Sequence, residues 1–173
     1  MLEAATYSAR ERLRNGRSLE VRALKPDDRT DMLAAVDRLS AQSLSRRFFT
    51  PKRQLKPEEV AFFLDVDFVS HVALVAVIED GGQPVIVGGG RYIVSQPKMA
   101  ELAFAVVDQY QGQGIGAALL RHLAILARRA SLEVLTAEVL AENVGMLKVF
   151  DGSGLCLTKT RDVDVVHVSL RLP

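Results

Sequence analysis

Apolar and polar positions alternate in two different periods along this chain, and the changes of period mark its elements. Ser18 to Leu24, S-L-E-V-R-A-L, has period two and reads as a first strand. Lys25-Pro26-Asp27-Asp28 is a turn whose aspartates suit the N-cap of a helix from Arg29 to Leu39, with Met32, Ala35, Val36 and Leu39 in one stripe. Ser40 to Lys56 reads as a short helical piece followed by a loop. Pro57-Glu58-Glu59 opens another helix, whose Val60, Phe63 and Leu64 face the core. His71 to Glu79 and Pro84 to Ser95 are strands joined by an Asp80-Gly81-Gly82-Gln83 hairpin turn. Gly88-Gly89-Gly90 inside the second of these suggests a bulge or a close packing contact. A strand from Met99 then runs into a glycine-rich turn and a helix from Gly116 to Ala130. A strand over Glu133 to Leu140, a helix over Asn143 to Ser153, and two strands over Leu155 to Thr160 and Val163 to Leu170 complete the chain, the last two joined by an Arg161-Asp162 turn.

This order, β-α-α-β-β-β-α-β-α-β-β, describes one α/β (α+β) domain over residues 18–173. Its sheet is expected to be mixed and mostly antiparallel. The crossover through the helix after Gly116 supplies a central parallel pair, with helices flanking the sheet. Residues 1–17 are polar and Arg-rich and read as an N-terminal extension, either a short amphipathic helix or a frayed end.

The 173 residues suffice for a sizeable core, and 49% hydrophobic with 25% charged residues is the profile of a soluble globular protein. The net charge of +1 gives no global reason to expect nucleic acid. The charge is uneven, with 13 Lys and Arg against 7 acids up to Lys56 and 9 against 14 beyond it. A basic first third can attract an acidic ligand or partner, or simply be a solvated face. A single cysteine, Cys156, excludes an intramolecular disulfide and a Cys-based metal site, and reads as a buried small hydrophobe. Three scattered histidines do not make a metal site either, so no metal is expected. His122, on the helix after the glycines, is expected to be exposed. No signal peptide and no membrane-length apolar run is seen, so the expected compartment is the cytoplasm, with no membrane partner.

The chemistry concentrates between Met99 and Ala118. A strand, a turn with Gly112, Gly114 and Gly116, and a helix form the geometry that aims backbone N–H groups and a positive helix end at an anion. A lone G-x-G-x-G also fits a dinucleotide fold. Here, however, the glycines follow antiparallel strands, and the next strand, E-V-L-T-A-E-V-L, does not end in an acid placed for a ribose.

Gln111-Gly112-Gln113-Gly114-Ile115-Gly116 fits the Q/R-x-x-G-x-G/A signature, and in this the chain resembles the GCN5-related N-acetyltransferases. The element order resembles theirs over about residues 18–172. Asn143, Met146, Phe150 and Gly154 follow the spacing of the family's N-x-x-A-x-x-x-Y-x-x-x-G helix, with two departures. The resemblance implies the GNAT fold, acetyl-CoA as cosubstrate, and transfer of acetyl to an amine by direct attack. Gln111, Gly112, Gln113, Gly114, Ile115, Gly116 and Ala117 would cradle the pyrophosphate. Phe104, Ala105 and Val106 would bind the pantetheine arm through their backbone, with the Val106 N–H on the thioester carbonyl. Asn143 would reach the cofactor, and it also suits an N-cap.

Glu101, in A-E-L-A-F-A-V, stands among small and apolar residues on a strand the fold makes central. A primary amine, with a pKa near 10.4, is mostly cationic at neutral pH and needs a base before it can attack. Segments resembling this one occur in the branch of the family that acetylates protein lysines, where a glutamate takes this place. D-F-V-S-H-V-A-L-V-A and L-S-A-Q-S-L-S-R-R-F-F resemble the same branch. Glu101 is therefore the expected general base. The acceptor is expected to be a lysine on a protein such as an acyl-CoA synthetase, or a small amine, the chain acting as monomer or homodimer. Arg46 and Arg47 would meet acids flanking a target lysine, or form a solvated basic loop. At this length the chain is expected to lack the regulatory domain fused to some members of the branch. A CoA-binding regulator without turnover is the reading from a different class. Phe150 stands where many members carry a Tyr that protonates the leaving thiolate. Tyr110 or water would have to replace it, and a thiol with a pKa of about 8.5 leaves with little help.

Overall fold

The computed structural model of the protein describes residues 4–48 and 55–173. Its strands are β1 (Ser8–Arg12), β2 (Ser18–Ala23), β3 (His71–Asp80), β4 (Gln83–Gln96), β5 (Met99–Val106), β6 (Val134–Leu140), β7 (Cys156–Asp162) and β8 (Val165–Arg171). They lie in one sheet in the order β1-β2-β3-β4-β5-β6-β8-β7, antiparallel except for the β5–β6 pair. The helices are α1 (Arg29–Asp37), α2 (Ala41–Phe48), α3 (Pro57–Leu64), α4 (Ile115–Arg129) and α5 (Val144–Asp151). The expected fold class holds. Residues 49–54 of the expected loop lie outside the described residues. Among the described residues no helix is long and apolar enough to cross a membrane.

Four expectations are corrected. Part of the N-terminal stretch is neither helical nor frayed, because Ser8–Arg12 pairs with β2 from Ser8↔Arg22 to Arg12↔Ser18. This strand is held to α4 by Tyr7, whose hydroxyl lies 2.6 Å from His122 Nδ1, and by Glu11, 2.7 Å from His122 Nε2. His122 is therefore buried rather than exposed. The last hairpin turns at Val163–Asp164, two residues later than expected, with Val163 in the left-handed region at φ 56°. Cys156 is exposed because it opens β7, an edge strand.

The glycine run in β4 explains how the sheet and α4 come together. A Cβ on Gly90 would stand 3.0 Å from Leu123 Cδ1 and 3.2 Å from Phe104 Cβ, and one on Gly88 would be 3.1 Å from the Ala105 carbonyl oxygen. α4 thus lies directly on bare backbone, its Ile115, Leu119 and Leu123 buried against it. The register also shifts at Ala76/Val77, opposite Gly88, so both a bulge and a close contact are present. Gly90→Val is expected to cost about 1–3 kcal/mol. That corresponds to a fall in Tm of roughly 2–12 °C for a chain of this size. Gly89→Ala, whose Cβ would meet only the Leu74 carbonyl at 3.5 Å, should leave Tm nearly unchanged in the same calorimetric scan.

Candidate active site

β5 is the strand around which the site forms. It pairs with β4 along its length but with β6 only at Met99, Ala100 and Glu101. Beyond Glu101 the two strands part, and a gap opens between Leu102–Val106 and the second half of β6. Which backbone groups face that gap follows from the β4 register. The Val107 N–H bonds the Val87 carbonyl at 2.8 Å, and Val106 stands opposite Gly88. Antiparallel ladders alternate bonded and unbonded pairs, so Val107–Val87 and Ala105–Gly89 are bonded. The N–H and C=O of Phe104 and Val106 therefore point away from β4, toward the gap. Of the three backbone residues expected to hold a ligand, Ala105 is the exception, since its polar groups serve the β4 ladder.

The turn after β5 is fixed by side chains. Asp108 accepts from the Ser40 N–H and hydroxyl at 2.8 Å each and from the Ser43 hydroxyl at 3.1 Å. Burial raises its pKa, but these bonds outweigh it and hold the carboxyl below its ordinary range. Gln111 donates from Nε2 to the Val106 carbonyl at 2.9 Å and to Ser43 at 3.2 Å, while its N–H bonds Asp108. Gln111 is thus a brace for the strand end, and it leaves Val106 with only its N–H facing the gap. Gln113 is held by Asn15 at 3.1 Å.

Gly112 at φ 77° and Gly114 at φ 94° occupy the left-handed region, where a side chain is costly. Gly116 has ordinary helical geometry; its missing side chain serves packing, since a Cβ there would lie 3.4 Å from Val149 on α5. Gly114 is the N-cap of α4, and no side chain caps this helix. The N–H groups of Ile115, Gly116 and Ala117 have no intrahelical acceptor, so this end presents donors and a positive dipole. The arrangement fits a pyrophosphate. Asn143 caps α5, accepting from the Met146 N–H at 3.3 Å.

Glu101 is exposed and lines a cavity of about 450 Å³ on the face of the sheet opposite α4. It makes no hydrogen bond or ion pair with a described residue. The same cavity is lined by Arg47, Arg91, Glu58, Glu59, Phe62, Phe63 and Ala103. Arg91, on β4, donates to the Phe63 carbonyl at 3.1 Å and to His71 Nε2 at 2.7 Å. Burial, with Arg47 adding to it, lowers the Arg91 guanidinium to about 9, and burial lowers Arg47 to about 10. Arg91 was not expected from sequence, although a lone charge in G-G-G-R-Y-I-V is a visible signal.

Two expectations change. Arg46 is engaged within the fold rather than free, because it donates to Glu142 from its Nε and one terminal nitrogen, the closest contact at 2.8 Å. Tyr110 is buried with its hydroxyl donating to Asp80 at 3.1 Å, so it is no replacement acid. Phe150 packs in the core with its ring 5.6 Å from that of Phe104. His71 has a defined ordering role. Arginine only donates, so His71 Nε2 is the acceptor and the proton sits on Nδ1, toward the Asp65 backbone.

Burial and the nearby Arg91 push His71 below its ordinary value of 6.5. The unfolded chain thus takes up this proton first as pH falls. Stability should be unaffected by His71 above that value and decline as pH drops below it. His71→Gln, which cannot protonate, should flatten this part of a denaturation-versus-pH profile.

The acetyltransferase (GNAT) family model matches residues 39–154. The chain belongs to this family. The matched segment runs from the end of α1 to the end of α5 and so contains the gap, the glycine turn and Glu101 in one GNAT domain. Acetyltransferase PA5475 of Pseudomonas aeruginosa is 32% identical over 120 residues, 69% of this chain and 64% of that protein. Acetyltransferase Pat of Mycolicibacterium smegmatis is 28% identical over 163 residues, 93% of this chain and 48% of that protein. The GNAT chain thus spans about two thirds or less of these curated relatives. The crystal structure of the GNAT domain of S. lividans PAT superposes with a TM-score of 0.85 at 33% identity, covering 95% of this chain and 97% of that one. Among the described residues no group of three or more His, Cys, Asp and Glu is placed to hold a metal.

Proposed function

We propose that this GNAT domain is an acetyl-CoA-dependent N-acetyltransferase whose acceptor is a lysine side chain on a protein. The observation that carries the reading is the gap beyond Glu101. It sets a backbone N–H, an uncapped helix end and a solvated carboxylate along one line of the fold. Acetyl-CoA, when bound, would supply the thioester that the amine attacks, with CoA leaving as the thiol. Gly112 to Ala117 hold the pyrophosphate through N–H groups and the α4 dipole. The Phe104 backbone and the Val106 N–H receive the arm in the gap, and Val106 is the donor for the carbonyl oxygen. Asn143 is a second contact from α5. Glu101 takes the proton from the acceptor ammonium, directly or through one water.

Support for a lysine acceptor comes from the likeness of A-E-L-A-F-A-V to the lysine-acetylating branch and from the relatives named Pat. An acyl-CoA synthetase is the acceptor protein to try first. A polyamine is the competing acceptor, since the cavity carries Glu58, Glu59 and Glu101 beside its two guanidinium groups. The test is thiol release from acetyl-CoA over a panel of lysine peptides, polyamines and amino acids, with mass spectrometry of the products. Nε-acetyl-lysine formed in preference to acetylated small amines is expected. Thiol release with small amines alone would overturn the protein acceptor. Tight acetyl-CoA binding with no release over the panel would leave the regulatory reading.

A further inference from the structure

We propose that Arg91, with Arg47 beside it, forms a carboxylate-binding subsite next to Glu101, so that the favoured acceptor carries an acidic group close to its amine. This rests on the acceptor reading of the cavity given above.

The placement follows from strand register. Arg91 stands opposite Ala103, and Glu101 is two residues from Ala103 on the same face of β5. Such diagonal neighbours are about 7–8 Å apart. Ala103 between them is too small to fill the space. A base for an ammonium and a fork for a carboxylate thus line one cavity. An amine and a carboxylate a few bonds apart would match the two.

The guanidinium is built for a guest rather than for the fold alone. Both acceptors that Arg91 bonds, the Phe63 carbonyl and His71 Nε2, are neutral and meet the same terminal nitrogen. Its Nε and other terminal nitrogen bond no described protein atom, and no described carboxylate pairs with it. A half-buried cation with no counter-ion is costly. Nor is Arg91 alone, since Arg47 and Arg91 lie over the Phe63 ring at 5.4 and 4.5 Å from its centroid. Two like charges thus share one ring at this end of a cavity whose lining also includes Glu58, Glu59 and Glu101.

Arg91 is also held still. His71, which accepts its N–H, stacks on Phe62 with ring centroids 5.1 Å apart, and the His71 N–H is anchored on Asp67 at 2.9 Å. A fork fixed in this way suits bidentate capture of a planar anion.

The test uses the CoA-loaded protein and calorimetric titration with pairs of non-reacting acceptors. One pair is a blocked pentapeptide with its lysine between two glutamates and the same peptide with glutamines. The other is free lysine and lysinamide. The acidic member of at least one pair should bind on the order of tenfold to a hundredfold tighter. Arg91→Met should bring that ratio close to one, and Arg91→Lys, a point charge in place of a fork, should leave an intermediate ratio. A preference in the peptide pair assigns the anion to side chains flanking a protein lysine. A preference confined to free lysine assigns it to an α-carboxylate and keeps the subsite while removing the protein acceptor. Equal binding within both pairs to the wild-type protein, or a preference that survives Arg91→Met, overturns the subsite. Thiol release from acetyl-CoA is read separately. A preference for the acidic member without release would keep the subsite and remove the acetyl-transfer reading.

Discussion

Glu101→Gln is expected to lower kcat/KM toward a lysine acceptor by about 10²–10⁴-fold at pH 7, the usual contribution of a positioned general base. The magnitude follows from the acceptor. With a pKa near 10.4, roughly one lysine in a few thousand is neutral at pH 7. Without a base the enzyme must wait for that fraction, so the variant's rate should rise about tenfold per pH unit between pH 7 and 9. The wild-type rate should rise less, and the difference between them should narrow. The fold should not confuse the result. Glu101 is exposed, makes no bond to a described residue, and is replaced by a side chain of the same shape. Acetyl-CoA affinity, which the proposed mode assigns to the turn and the gap, should stay within a factor of a few. Wild-type-like turnover by the variant from pH 7 to 9 would remove Glu101 as the base.

The same strand shows what the sequence could and could not reveal. Its apolar alternation, its glycines and the Glu101 carboxylate are local signals, and each element they marked is present. The orientation of the Val106 N–H is not local. It depends on Val107 pairing with Val87 rather than on any residue type near Val106. Long-range partners account for most of the other differences. S-A-R-E-R has no apolar face, so β1 is visible only once His122 on α4 is seen to receive Tyr7 and Glu11. Arg46 looks like a free basic residue until Glu142, 96 positions away, is placed against it. The turn at Val163 was misplaced for a different reason, since a β-branched residue at positive φ runs against every local preference.

Gly114→Val is expected to weaken acetyl-CoA binding by about tenfold or more while lowering folding stability only modestly. Gly114 sits at φ 94° as the N-cap of α4, and a Cβ there would meet no protein atom within 4 Å. The penalty is thus backbone strain and not a clash, about 1–2 kcal/mol for a side chain in the left-handed region. This corresponds to roughly 2–8 °C in Tm for a chain of this size. The chain can relieve that strain only by rotating the peptides on either side of Gly114. Rotation turns the Ile115 N–H away from the helix axis and spoils the convergence of donors on a phosphate. Charge-assisted bonds of this kind contribute about 1.5–3 kcal/mol each. Losing one would account for tenfold to a hundredfold in Kd. Gly116→Ala is the control, because its Cβ at 3.4 Å from Val149 perturbs packing without requiring positive φ. Calorimetric titration with acetyl-CoA, read beside a thermal scan, separates the two effects. An unchanged Kd in Gly114→Val would remove the glycine turn from the binding site, whatever happened to Tm.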